Sequence, residues 1–210
     1  MKSIDVVKLA GLMSRTVVVT ERDGHPAAAV TASRVYDTDA DDLWDAVTTA
    51  ERIQRWFLPV EGELKLGGRY QTKGNAGGVI TACDPPRSFA ATWEMGPFVS
   101  WIDVVVKPEG DRARLVLTHT SQTDNPHFEQ YGPGAVGVGW DLGLIGLHLY
   151  LESKSQVDAA AFESWTLSDE GKRFVALSTK GWGDADATSG RDEAAARASE
   201  TATYKFYTGT

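Results

Sequence analysis

Cysteine is almost missing from this chain: Cys83 is the only one in 210 residues. A lone thiol cannot close an internal disulfide, and Cys83 reads as a small buried hydrophobe. Positive charge is also in short supply, with 21 Lys and Arg against 29 Asp and Glu and a net charge of −8. That balance excludes a phosphate-backbone binder, which needs clustered cations, and gives no affinity for anionic membrane surfaces. Long apolar runs are scarce. The longest, Gly139 to Leu151, covers about 13 residues and contains Asp141 and His148, too short and too polar for a bilayer span. Near the N-terminus, Asp5 and Lys8 interrupt any apolar core of a secretion signal, so the expected compartment is the cytoplasm. Catalytic signatures are missing as well: no G-x-S-x-G, H-E-x-x-H or P-loop occurs. The histidines are His25, His119, His127 and His148. No pair has the i, i+4 spacing of a helical zinc site, so neither a metal nor a cofactor is expected.

What is present begins with apolar residues making up 42% of the chain, enough for a real core in one large domain. Thr16 to Thr20 reads as a strand, Asp23-Gly24 as a hairpin turn, and Ala28 to Tyr36 as the returning strand. Thr38 or Asp39 can cap a helix carrying Leu43, Trp44 and Val47. A second short helix holds Ile53, Trp56 and Phe57, broken from the first near Thr49 and stopped by Pro59. A period of two follows in Glu63 to Leu66, Arg69 to Thr72, Val79 to Cys83, Ser88 to Glu94, Trp101 to Lys107 and Arg112 to Thr120. In these strands Phe89, Ala91 and Trp93, then Ile102, Val104 and Val106, then Leu115, Leu117 and His119 share one face. Charged residues mark the opposite, solvated face. Residues 121–137 read as a polar loop. A helix nearly apolar all round, from about Val136 to Gln156, must be buried on most sides. Gly143 and Gly146 inside it each cost about 1 kcal/mol relative to Ala, so something approaches its axis closely, a sheet or a ligand. Along this helix, Asp141, His148 and Glu152 read as the wet edge. In the tail, Ser168 starts a helix and Gly181 stops it. Ser189 to Asp192 precede another that ends near Tyr207.

Gly132 to Gly137 matches G-x-G-x-x-G, but polar loop rather than a strand precedes it, so it reads as a flexible entry loop and not a dinucleotide site. His25 and His148 read as solvated. His119 points inward by parity, either as a hydrogen-bonded core histidine or as the polar anchor of a ligand. Most tryptophans read as core, and some as pocket wall. One long helix gripped by a curved sheet tends to leave a cavity. The expected wall is Trp56, Phe89, Trp93, Val104, Leu117, His119, Trp140 and Leu144. The expected occupant is a small hydrophobic molecule. The alternatives are a cyclase- or hydratase-like enzyme using His119, for which the sequence offers no second inward polar group, and a chaperone-associated or regulatory interaction protein. The tail residues Phe174, Leu177, Trp182, Tyr204, Phe206 and Tyr207 need cover, either within the chain or across a homodimer.

Several segments in order resemble the heat-shock protein 90 ATPase activator-like family of the START-like, birch-pollen-allergen superfamily. They are Leu43 to Thr48 with Ile53 and Trp56-Phe57; Gly67 to Tyr70; Gly78 to Ile80 with Asp84 to Pro86; Thr92 to Glu94; Arg114 to His119; and Gly139 to Leu151. The resemblance covers about residues 30–155. It implies an α+β helix-grip fold: a curved antiparallel sheet wrapped around a long C-terminal helix, with two short helices closing the sheet. The expected divisions are an N-terminal arm and hairpin strand (1–27), the helix-grip domain (28–157) and a helical extension (158–210). The resemblance supplies no catalytic residues to carry over. It admits a chaperone partner that nothing else in the sequence supports.

Overall fold

The computed structural model describes residues 5–210. The start of the expected N-terminal arm, residues 1–4, lies outside them. In chain order the elements are α1 (Val6–Gly11), β1 (Ser14–Arg22), β2 (His25–Tyr36), α2 (Ala40–Thr48), α3 (Ala50–Ile53), β3 (Val60–Gly62), β4 (Arg69–Thr72), β5 (Gly77–Asp84), β6 (Ser88–Met95), β7 (Phe98–Glu109), β8 (Arg112–Gln122), α4 (Pro126–Tyr131), α5 (Gly134–Ser153), α6 (Ala159–Thr166), α7 (Asp169–Thr188) and α8 (Glu193–Thr208). The eight strands form one sheet in the order β1-β2-β8-β7-β6-β5-β4-β3. This is the α+β helix-grip arrangement.

The chain forms two compact units. One holds residues 33–121 and 143–157, and the other 1–32, 122–142 and 158–210. In the first, the sheet unit, antiparallel pairing places Phe89 opposite Val104, Val104 opposite Leu117, Ala91 opposite Ile102, and Ile102 opposite His119. These residues therefore share one face, as the period of two predicts. Val104, Leu117 and His119 are buried, and Asp103 and Lys107 on the other face are exposed. Asp39 caps α2 through the Asp42 amide. Arg52 then clamps this corner: Nη1 donates to Asp42 Oδ1 at 2.7 Å and to Asp45 Oδ2 at 2.9 Å, and Nε donates to Tyr150 Oη at 2.9 Å. Tyr36 Oη donates to the Leu144 carbonyl, fixing α5 from the β2 side.

The glycines of α5 have definite neighbours. A Cβ on Gly146 would collide with the Trp56 carbonyl oxygen, whereas one on Gly143 would rest 3.6 Å from the Phe57 ring. Close approach is thus required at Gly146, and the approaching group is backbone after α3 rather than sheet or ligand. In the helical unit a Cβ on Gly137 would meet the Trp182 indole, and one on Gly134 would lie 2.8 Å from Thr203 Oγ1. Tail side chains occupy those hollows. Phe174 and Trp182 are buried, which answers the need for cover within the chain; Phe206 stays 58% exposed.

Several boundaries differ from the sequence reading. Glu63 to Leu66 is not a strand; the pairing strand is Val60–Gly62. The loop 121–137 contains α4, capped by Asn125 with Pro126 in its first turn. The glycine-rich segment after it enters α5 at Gly134 and is not an open loop. Gly181 does not stop α7, which runs on to Thr188. A Cβ there would sit 3.0 Å from Arg15 Nη1, so this glycine gives Arg15 room.

Asp141 overturns the expected wet edge of α5. It is fully buried. Its Oδ2 receives Arg15 Nε at 2.8 Å, Ser178 Oγ at 2.6 Å and Trp182 Nε1 at 3.1 Å. Burial pushes the Asp141 carboxyl up from its usual range, opposed by Arg15 and the two neutral donors. Trp140 beside it is half-buried rather than enclosed. α5 is long and apolar enough to cross a membrane by composition alone, but 61% of its most apolar window is buried inside the protein, as in a core helix.

Candidate functional site

The sheet unit gathers seven of the eight expected wall residues: Trp56, Phe89, Trp93, Val104, Leu117, His119 and Leu144. Trp140 belongs to the other unit. Val104, Leu117, His119 and Leu144 are closed off from solvent, while Trp56, Phe89 and Trp93 are half-buried. Trp56 is committed to architecture. Its indole Nε1 donates to the Ala46 carbonyl at 2.9 Å, and its own carbonyl presses on Gly146. Phe89 meets the edge of Trp44 from α2, with ring centroids 6.2 Å apart. Trp93 meets the edge of the His119 imidazole at 6.1 Å.

The polar centre of this face is a chain of two hydrogen bonds. Ser100 lies opposite Trp93, diagonal to His119 across β7 and β8. Its hydroxyl donates to the Trp93 carbonyl at 3.0 Å, and its oxygen lies 2.8 Å from His119 Nε2. The single hydroxyl proton goes to the carbonyl, which assigns the proton of a neutral imidazole to Nε2. Burial favours that neutral form and lowers the His119 pKa to about 4.

Ser100 is the inward polar neighbour that the sequence reading lacked. β7 was expected to begin at Trp101; stepping back from Ile102 by one period of two would have found it. Arg34 lies inside the expected strand Ala28 to Tyr36, where its parity with Ala32 and Tyr36 already places it inward. It sits 1% exposed on β2 in the row of Ala32 and Tyr36, with its guanidinium 5.3 Å from the Tyr36 ring centroid. His25 behaves as expected, exposed and 2.9 Å from Asp124. Among the described residues no cluster of three His, Cys, Asp or Glu side chains suits a metal ion. In the helical unit an open depression of about 600 Å³ includes Tyr131, Lys205 and Phe206 and none of the expected wall residues.

One eight-stranded antiparallel sheet followed by a long apolar helix defines a START-like helix-grip protein. The chain belongs to the family described as Activator of Hsp90 ATPase homolog 1-like protein, whose pattern matches residues 37–152. Members of this family often bind hydrophobic ligands. Among solved structures, CalU16 from Micromonospora echinospora is 26% identical, with a TM-score of 0.62, covering 79% of this chain and 97% of its own. That likeness reaches well beyond the family match. An HSP90 activator from Plasmodium falciparum is 20% identical, with a TM-score of 0.52, over 59% of this chain and 96% of its own. DynU16, from the dynemicin biosynthetic locus, is 16% identical, with a TM-score of 0.54, over 61% of this chain and 48% of its own. These last two share the fold. No curated protein matches the chain.

Proposed function

We propose that the protein binds a small, largely apolar molecule on the inward sheet face, oriented by the Ser100–His119 pair. The observation that carries this reading is the uneven cover of that face. Ile102, Val104 and Leu117 are sealed, but Phe89, opposite Val104, and Trp93, opposite Ser100, remain half-open to solvent. Aromatic surface left accessible beside one polar pair suits an apolar ligand with a single polar group. An enzyme is the weaker reading. A general base works best with a pKa near the working pH, and at about 4 His119 is far below neutrality. The likeness to an HSP90 activator, at 20% identity, carries fold rather than partner.

The test is titration with an anilinonaphthalene fluorophore, together with mass spectrometry of any compound that co-purifies. Trp93→Ala is expected to weaken probe binding by about tenfold, about 1.4 kcal/mol of lost aromatic contact. His119→Gln is expected to weaken a polar-headed ligand by about 1 kcal/mol, the scale of one net hydrogen bond. Probe binding unchanged in Trp93→Ala would reject this face as the site. Turnover of a co-purified compound that His119→Gln abolishes while affinity holds would establish an enzyme instead.

A further inference from the structure

The two edges of the sheet are treated differently by this sequence. At one edge, β3 has three residues, follows Pro59 and ends on Gly62 with φ at 103°, so little backbone is offered for pairing. At the other, β1 runs nine residues with no Pro, Gly or Lys. Its second half is exposed on both faces, including Val18 at 56% and Val19 at 66%. Natural sheets blunt long edges with short strands, Pro, Lys or bulges, because an open edge templates pairing with another chain. Here one edge is blunted and the other is not.

The backbone of β1 has a definite polarity. Asp23 and Gly24 form a two-residue turn with φ of 54° and 79°, the conformation of a tight hairpin. Arg22 and His25 are then the closing hydrogen-bonded pair. Bonding alternates along an antiparallel ladder, so Arg22, Thr20, Val18 and Thr16 bond β2, while Glu21, Val19, Val17 and Arg15 turn N–H and C=O outward. Burial agrees with this register: it pairs Val17 with Val30, and both are buried.

That outward row complements itself. Thr16-Val17-Val18-Val19-Thr20 is palindromic about Val18, flanked by Arg15 on one side and Glu21 on the other. Two copies laid antiparallel about Val18 pair Val17 with Val19 and Arg15 with Glu21. All four of those residues carry outward backbone groups. The same register sets Val18 against Val18 and Thr16 against Thr20 on the opposite face. Hydrogen bonding and side-chain match therefore agree on one register, which supplies about eight main-chain hydrogen bonds. We infer that β1 is a homodimerisation edge, pairing antiparallel with β1 of a second copy in the register centred on Val18.

The experiment is sedimentation velocity on the full chain over a concentration series up to about 10⁻⁴ M, combined with oxidative trapping. Wild type is expected to show a monomer–dimer equilibrium. Val19→Pro deletes an outward N–H and no bond to β2, so the thermal midpoint should hold while the dimer dissociation constant rises at least about tenfold. Should that variant lose its fold, Val18→Lys serves, because it sets two like charges face to face at the two-fold axis. In a Cys83→Ser background, Val18→Cys should trap a covalent dimer under mild oxidation, and Thr16→Cys should not. A wild type that stays monomeric throughout overturns the proposal. So does a dimer indifferent to both edge variants, or one trapped as readily by Thr16→Cys as by Val18→Cys.

Discussion

His119 and Asp141 are both buried, at 4% and 0% exposure, yet they are held in different ways. His119, in the sheet unit, is neutral and joined to one hydroxyl, Ser100, which passes the hydrogen bond on to a carbonyl. Asp141, in the helical unit, collects a guanidinium, a hydroxyl and an indole on one oxygen. The contrast follows from the cost of burial. A neutral imidazole needs modest compensation and can exchange one partner for another. A carboxylate opposite a guanidinium depends on every donor it has; Asp141 Oδ1 and Arg15 Nη2 are already buried without a hydrogen-bond partner, and removing one member strands the other. A polar group suited to meeting a ligand is therefore of the first kind, and one suited to fixing β1, α5 and α7 together is of the second.

The largest expected effect tests the second kind. Asp141→Asn removes the counter-charge of Arg15, whose side chain is 9% exposed, and should cost about 3–5 kcal/mol in a denaturant titration. The double variant Arg15→Leu with Asp141→Leu should recover most of that loss, because no charge is left stranded. A cost below about 1 kcal/mol for Asp141→Asn would erase the distinction between the clusters.

Acid tests the first kind. The folded pKa of His119, about 4, lies below its unfolded value of 6.5. The unfolded chain thus binds the additional proton in this window, and stability falls as pH drops from 6.5 towards 4. The full difference is worth about 3 kcal/mol. His119→Gln should flatten that part of the stability–pH curve. Asp42 and Asp45, held below the usual range by the Thr38 and Thr49 hydroxyls and then by Arg52, and Asp184 and Glu109, held low by Lys180 and Arg114, would still titrate at lower pH. A curve identical in wild type and variant between pH 6.5 and 4 would mean that His119 takes up its proton without cost.

These clusters also differ in how far the sequence displayed them. Strand parity needs only local alternation, so the inward placement of His119, Phe89, Trp93, Val104 and Leu117 was readable. Asp141 was not, because its partners Arg15, Ser178 and Trp182 lie 126, 37 and 41 residues away. An acid on an apolar helix looks like a wet edge until the chain returns to cover it. The same limit affected Gly181 and Gly137. Gly181 looks like a helix stop and Gly137 like part of an entry loop, and each is the hollow that a remote Arg15 or Trp182 fills. The uncovered face at Phe89 and Trp93 depends on what the rest of the unit leaves open, which no local pattern records.

Gly146 and Gly143 separate close approach from spare room on one helix. Gly146→Ala drives a methyl into the Trp56 carbonyl and should cost about 1–3 kcal/mol, as overpacking does. Gly143→Ala meets Phe57 at ordinary contact and gains helix propensity, so it should be neutral or stabilise by up to about 1 kcal/mol. Thermal melts of both variants decide it. Equal midpoints would mean that the turn after α3 yields and that Gly146 is not needed for close packing.

The smallest effect concerns Ser100, and it sharpens the contrast most. Ser100→Ala removes the acceptor of His119 Nε2 and the donor to the Trp93 carbonyl, but adds no charge and opens little space. A net hydrogen bond is worth about 1 kcal/mol, and an orphaned buried donor adds a cost of similar size. The loss should therefore stay near 1–2 kcal/mol, well short of Asp141→Asn. The site would survive with its polar centre altered: apolar probe binding should hold, and affinity for a ligand with a polar head should change. Stability and both affinities measured on one preparation resolve the matter. A loss as large as that of Asp141→Asn would make Ser100 and His119 architectural, and the inward sheet face would lose its claim as a ligand site.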